Sequence, residues 1–153
     1  MYPREEIEAA IEQYLALRNA AIAGERPWTD LATVLTEDVE FTDSVWGKHV
    51  GLAAVTSFLH DSMQGLDDWD FPHLWQVIDG DTVVLGWANR LPGRRDDGTY
   101  FDIPGASVLR YAGDGKFSSE IDMYSESQLQ QVWKESGWVP TAPLGAPPPD
   151  RVW

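Results

Sequence analysis

Ile7, Ile11 and Tyr14, and less strictly Leu15, Arg18 and Ile22, recur at helical spacing behind an acidic start of Glu5, Glu6 and Glu8. Pro3 suits a first helical turn, the acids suit the positive end of the helix dipole, and Gly24 supplies a stop. The spacing predicts one amphipathic helix of about five turns, with Tyr14 on or beside its inward stripe. Leu31, Val34 and Leu35 predict a short second helix over 28–35. Residues 38–43 alternate with period two and read as a strand whose far end carries Asp43. Residues 46–51 read as a turn, and Val55, Phe58, Leu59 and Met63 predict a third helix over 52–63.

After the acidic loop 67–70 the period changes. Residues 73–78, 82–91, 99–111 and 116–124 read as strands, divided by Asp79-Gly80-Asp81, by 92–98 and by Gly113-Asp114-Gly115. A last helix is predicted over 128–135. Strands that follow one another through hairpins, with the helices gathered before them, predict an α+β fold. Its expected form is one curved antiparallel sheet with N-terminal helices packed on the concave face. No repeat or linker divides the chain, so 1–138 reads as a single domain. Residues 139–153 hold five prolines and end in Trp153. This tail is expected to pack as a strap on its own domain or on a neighbouring subunit.

Charge narrows the partners. Among 153 residues, 25 Asp and Glu against 11 Lys and Arg give a net charge of −14, which disfavours nucleic acid and anionic membrane surfaces. The absence of cysteine removes disulfides, thiolate nucleophiles and Cys-ligated metal. His49, His60 and His73 lack metal-ligand spacing, and no phosphate loop or dinucleotide fingerprint occurs, so neither metal nor cofactor is expected. The N-terminus lacks a basic flank and apolar run, and no apolar stretch nears about 18 residues. The expectation is a soluble, cytoplasmic protein.

The order of these elements resembles that of the nuclear transport factor 2-like superfamily. The strings that carry the resemblance are Tyr14-Leu15-Ala16-Leu17-Arg18-Asn19, Val39-Glu40-Phe41-Thr42-Asp43, Pro104-Gly105-Ala106-Ser107-Val108-Leu109-Arg110-Tyr111 and Gly115-Lys116-Phe117. Ketosteroid isomerases, SnoaL-like polyketide cyclases, limonene-epoxide hydrolases and scytalone-type dehydratases belong to it. The resemblance spans about residues 5–135 and implies a cone-shaped α+β barrel with one deep apolar pocket between the long helix and the sheet. It also implies a homodimer or, as in the dehydratase branch, a trimer.

Four residues are the candidate catalysts. Asp43 resembles the proton-shuttling carboxylate of ketosteroid isomerases, since burial lifts a carboxyl toward working pH. The alternative is a strand-end Asp that caps the next turn. Tyr14 would donate to a developing oxyanion, or else pack its ring in the core. The isomerases' second oxyanion-hole Asp corresponds here to Ser107, which argues against a steroid-isomerase assignment. The string Glu120-Ile121-Asp122-Met123-Tyr124 resembles the segment where SnoaL-like cyclases and limonene-epoxide hydrolases place an acid/base aspartate, here Asp122. Alternation puts Glu120, Asp122 and Tyr124 on one face of the last strand, and Ile121 and Met123 on the other. His73 resembles the pocket histidine of the dehydratases and could form a dyad with Asp122.

Trp28, Trp46, Trp69, Trp75 and Trp87 either surround a cavity or fill the core. Trp46, Trp87, Asn89, Ser107, Glu120 and Tyr124 are the expected substrate-binding residues. A substrate carboxylate or phosphate would find only Arg18 or Arg90 as a clamp. The leading expectation is a cofactor-free lyase, isomerase or cyclase acting on a hydrophobic, oxygenated, aromatic or polycyclic molecule. The alternatives are a non-catalytic ligand-binding module and a cavity filled by its own aromatic side chains.

Overall fold

The computed structural model describes residues 1–153. Helix α1 spans Arg4–Ile22, a short 3-10 helix spans Trp28–Val34, and α2 spans Leu52–Met63. The strands are β1 Leu35–Asp43, β2 Gly47–Val50, β3 His73–Asp79, β4 Thr82–Arg94, β5 Tyr100–Gly113 and β6 Lys116–Tyr124. Helix α3, Glu126–Ser136, follows the sheet. Its limits are local chemistry: the Ser125 hydroxyl accepts the Gln128 N–H at the start, and Gly137 ends it at a φ of 69°. No helix is long and apolar enough to cross a membrane.

The α+β expectation holds, with two corrections to the sheet. Residues 47–50, read as a turn, form strand β2 against β1. The sheet is also not wholly antiparallel: its order is β2-β1-β6-β5-β4-β3, and β1 runs parallel to β6. That parallel pair allows the chain to pass through α2 and the three long strands before returning beside β1. With β2 and β3 as its two edges, the curved sheet does not close.

Ile7, Ile11 and Tyr14 of α1 join one apolar core with Val83, Leu85, Leu109, Tyr111 and Phe117 of the sheet. The helix therefore covers the concave face, as its stripe predicts. A smaller cluster of Trp69, Phe71, Leu91, Ile103 and Val132 fills the end beneath α3. Between the two clusters the concave face stays open.

Candidate active site

The opening is a cavity of about 280 Å³. Asp43, Asp122 and Ser107 stand in one row across it, because Asp43 is in register with Asp122 and Asp122 with Ser107. Neighbouring strands lie about 4.8 Å apart, so two carboxyls and a hydroxyl share one floor. The polar face of β6 therefore points inward, while Ile121 and Met123 are exposed on the outside.

Asp43 serves the turn and the cavity together. Its Oδ1 accepts the backbone N–H of Val45 at 2.8 Å and of Trp46 at 2.9 Å, which bends the chain into β2. The Tyr124 hydroxyl donates to the same carboxylate, at 2.9 Å to Oδ1 and 3.2 Å to Oδ2. Burial raises its pKa, and the two backbone N–H groups and Tyr124 pull it back.

Asp122 is held differently. Trp87 Nε1 donates to Ser107 Oγ at 2.9 Å, so the Ser107 hydroxyl hydrogen is directed to Asp122 Oδ1 at 2.5 Å. Gly105 permits this chain: a Cβ there would lie 2.5 Å from the Trp87 ring. Burial pushes the Asp122 carboxyl well above its ordinary pKa, and the charges of Glu120 and Asp43 push it further. Part of Asp122 remains accessible, and the space it meets is the cavity it lines.

Glu120 sits behind Asp122 and is only 1% exposed. Its Oε1 accepts the Tyr14 hydroxyl at 2.6 Å, and its Oε2 has no partner. Burial raises its pKa, while the Tyr14 hydrogen bond and the Arg18 charge lower it. These supports favour the charged form of Glu120, and Asp122 is the carboxyl of the pair raised further.

All the expected catalytic and substrate-binding residues except His73 line this cavity, whereas Arg90, the second possible clamp, does not. His73 lies on edge strand β3, opposite Trp87 in register, and its Nε2 is 3.1 Å from Gln76 Oε1. Three strand spacings, about 14 Å, separate β3 from β6, so a His73–Asp122 dyad is not formed. Tyr14 reaches the cavity with its hydroxyl already committed to Glu120. Trp46 and Trp87 are wall residues, as are Trp28 and Trp69, but Trp75 is on the outer face with its ring over Gly86.

The tail, expected as a strap, also contributes to the cavity wall. Leu144, Gly145 and Pro147 line the cavity, and the Val152 carbonyl accepts the Lys48 N–H at 2.7 Å, extending β2. No group of three or more His, Asp or Glu side chains is arranged to hold a metal ion.

No curated protein matches the chain in sequence. Among solved structures, it is similar to a steroid delta-isomerase from Pseudomonas aeruginosa, at 25% identity and a TM-score of 0.56, with 84% of this chain and 90% of that one covered. It is also similar to a hypothetical protein of ketosteroid isomerase-like fold from Catenulispora acidiphila, in complex with trimethylamine. There the identity is 23%, the TM-score 0.61, and the coverage 83% and 97%. A third, TerC co-crystallised with polyporic acid, shares 19% identity at a TM-score of 0.60, with 84% and 98% covered. The family model of the SnoaL-like domain matches residues 11–120, through the long helix, the cavity and most of the sheet, and the chain belongs to that family.

Proposed function

We propose that the cavity carries out cofactor-independent general acid/base chemistry on a small oxygenated aromatic molecule, as an isomerase, cyclase or lyase. The observation that carries this reading is the in-register pair of Asp43 and Asp122, two adjacent carboxyls that burial raises, Asp122 further than Asp43. Asp43, steadied as a carboxylate by two backbone N–H groups, takes a proton from carbon through Oδ2. Asp122, kept protonated, gives one to the oxygen on which charge develops. Such a step converts a ketone to its enol with no net change in protons. A volume of about 280 Å³ lies just below the usual range of ligand pockets, which favours one or two rings over a polycyclic substrate. The small organic molecules bound by the trimethylamine and polyporic acid complexes support a ligand site in this fold.

Deuterium exchange from the α-carbon of tetralone in heavy water, followed by proton NMR, tests the reading. The wild-type protein should accelerate exchange, and Asp43→Asn should lower the rate by about two to four orders of magnitude. Asp43 Oδ1 is committed to the turn, which favours a second reading, a non-catalytic binding module. Tetralone binding without exchange would select that one.

The outer face of the sheet supports a homodimer. Trp75, Gly86, Ala106 and Met123 form one row across four strands, and Val77, Val84, Val108 and Ile121 the next. Trp75, Val77, Ile121 and Met123 are each about half exposed, a contiguous apolar patch of the kind that marks an interface. Sedimentation should report a dimer for the wild type and a monomer for Val77→Asp with Ile121→Lys. A wild-type monomer at high concentration would contradict the assignment.

A further inference from the structure

Arg18 is the one cationic side chain lining the cavity, and it is only 7% exposed. It follows Tyr14 by one turn on the inward stripe of α1. One guanidinium nitrogen donates to the Phe71 carbonyl at 2.5 Å, and the group lies 5.8 Å from the centre of the Trp87 ring. That is its one hydrogen bond within the chain, and none of the six ion pairs includes it. Guanidinium carries five N–H donors and a permanent charge, so most of its bonding capacity is unused. Arg90, the other possible clamp, is taken by Asp102 at 2.9 Å and by the Tyr100 ring.

Further donors in the same corner lack acceptors. The Asn89 amide nitrogen and the Trp69 indole nitrogen are buried without partners, and both residues line the cavity. Backbone hydrogen bonds between Asp70 and Arg90, at 2.9 and 3.0 Å, fasten segment 69–71 beside the strand that carries Asn89. The same segment supplies the carbonyl that holds Arg18. Asn89 is four residues beyond Leu85, which is in register with Ser107. Asn89 is therefore about 13 Å along the strand from the Asp43–Asp122 row, with Arg18 between them beside the Trp87 ring. Buried donors without acceptors are costly, and a cavity that keeps them has a use for an acceptor.

The geometry points to a ligand-anchoring subsite in this corner, where Arg18, assisted by Asn89 and Trp69, binds a carboxylate of the ligand. An aromatic acid anchored here directs its far end to Asp43 and Asp122. The chain's overall negative charge is screened over about 8–10 Å at ordinary salt, whereas the contact with Arg18 is made inside the cavity. Glu120 is the carboxylate whose pKa the Arg18 charge lowers, but the two form no ion pair: its Oε1 accepts the Tyr14 hydroxyl and its Oε2 has no partner. This inference rests on the cavity being a ligand site, and it does not require Asp43 or Asp122 to turn anything over.

Calorimetric titration of naphthoate against its neutral counterpart naphthylmethanol tests it. The wild-type protein should bind the acid at least about tenfold more tightly than the alcohol. Arg18→Met should weaken the acid by about 10–100-fold and leave the alcohol within about threefold. Asn89→Leu and Trp69→Phe should each weaken the acid alone by about 3–10-fold, and they carry the test if Arg18→Met does not fold. Equal binding of acid and alcohol, binding of neither, or acid binding unmoved by the variants would overturn the subsite. Asp43→Asn should keep the preference for the acid. A protein that exchanges tetralone without preferring naphthoate loses this inference alone, and the reverse result removes the catalytic reading alone.

Discussion

Asp122→Asn is expected to lower tetralone exchange by about two to four orders of magnitude while raising the melting temperature at neutral pH. The two effects share one cause. The Asp122 carboxyl is harder to ionise in the folded chain than in the unfolded one, because burial and the charges of Glu120 and Asp43 oppose its charged form. The stability tied to a carboxyl with a raised pKa is complete below its unfolded value and is lost as pH rises through the folded one. Asparagine cannot ionise, so the variant keeps that stability, and it still accepts the Ser107 hydroxyl. Each kcal/mol recovered raises the midpoint by about 2–4 °C for a chain of this size. The gain over wild type should vanish below about pH 4, where both states of Asp122 are protonated. Melting curves across that range check the sign. A lower midpoint at every pH would mark Asp122 as a structural residue.

Tyr14→Phe should act in the opposite direction. Glu120 is buried in the cavity floor, and the Tyr14 hydroxyl is the sole donor bonded to its Oε1. Removing that hydroxyl leaves a buried carboxyl with both oxygens unsupported, at a cost of about 1–3 kcal/mol. The melting temperature should therefore fall by about 2–12 °C. The change also raises the Glu120 pKa further, so the loss grows as pH rises through neutrality and shrinks on acidification. If Tyr14 were instead a free oxyanion donor, the variant would lose exchange activity with little change in stability. The two outcomes separate in a melting curve and a rate measured on the same sample.

The parts legible in the sequence were those fixed by neighbours a few residues away. The limits of α2 and β6 follow from apolar spacing and the Gly113-Asp114-Gly115 turn, and the structure places them at Leu52–Met63 and Lys116–Tyr124. Alternation also sorted Glu120, Asp122 and Tyr124 from Ile121 and Met123, leaving only which face was inward. Long-range pairing was not legible. Strand β2 has four residues, and its place depends on the turn that Asp43 holds. The parallel contact of β1 with β6 joins segments some eighty residues apart in sequence, as the hydrogen bond of Tyr124 to Asp43 illustrates.

His73 and Trp75 show how a local pattern misleads. Plain alternation would put both on one face, but the register shifts between them, and Trp75 turns outward over Gly86. Strand order then sets β3 at the edge, far from the carboxyls. The Ser107 position carried a partial signal. Read as a missing oxyanion-hole acid, it becomes a relay that orients Asp122, because Trp87 can lie across Gly105 to reach it. The role of the tail had no local signature, since Leu144, Gly145 and Pro147 meet the cavity through contacts that no short motif encodes.

The central claim is a cavity that holds one protonated carboxyl beside one carboxylate, and carboxyl-carbon NMR titration of the side chains reads it directly. With Asp43→Asn and Asp122→Asn supplying the assignments, one carboxyl should remain protonated at about pH 7 and disappear in Asp122→Asn, while Asp43 has already ionised. Full ionisation of both aspartates by about pH 5, close to the ordinary range, would contradict the account.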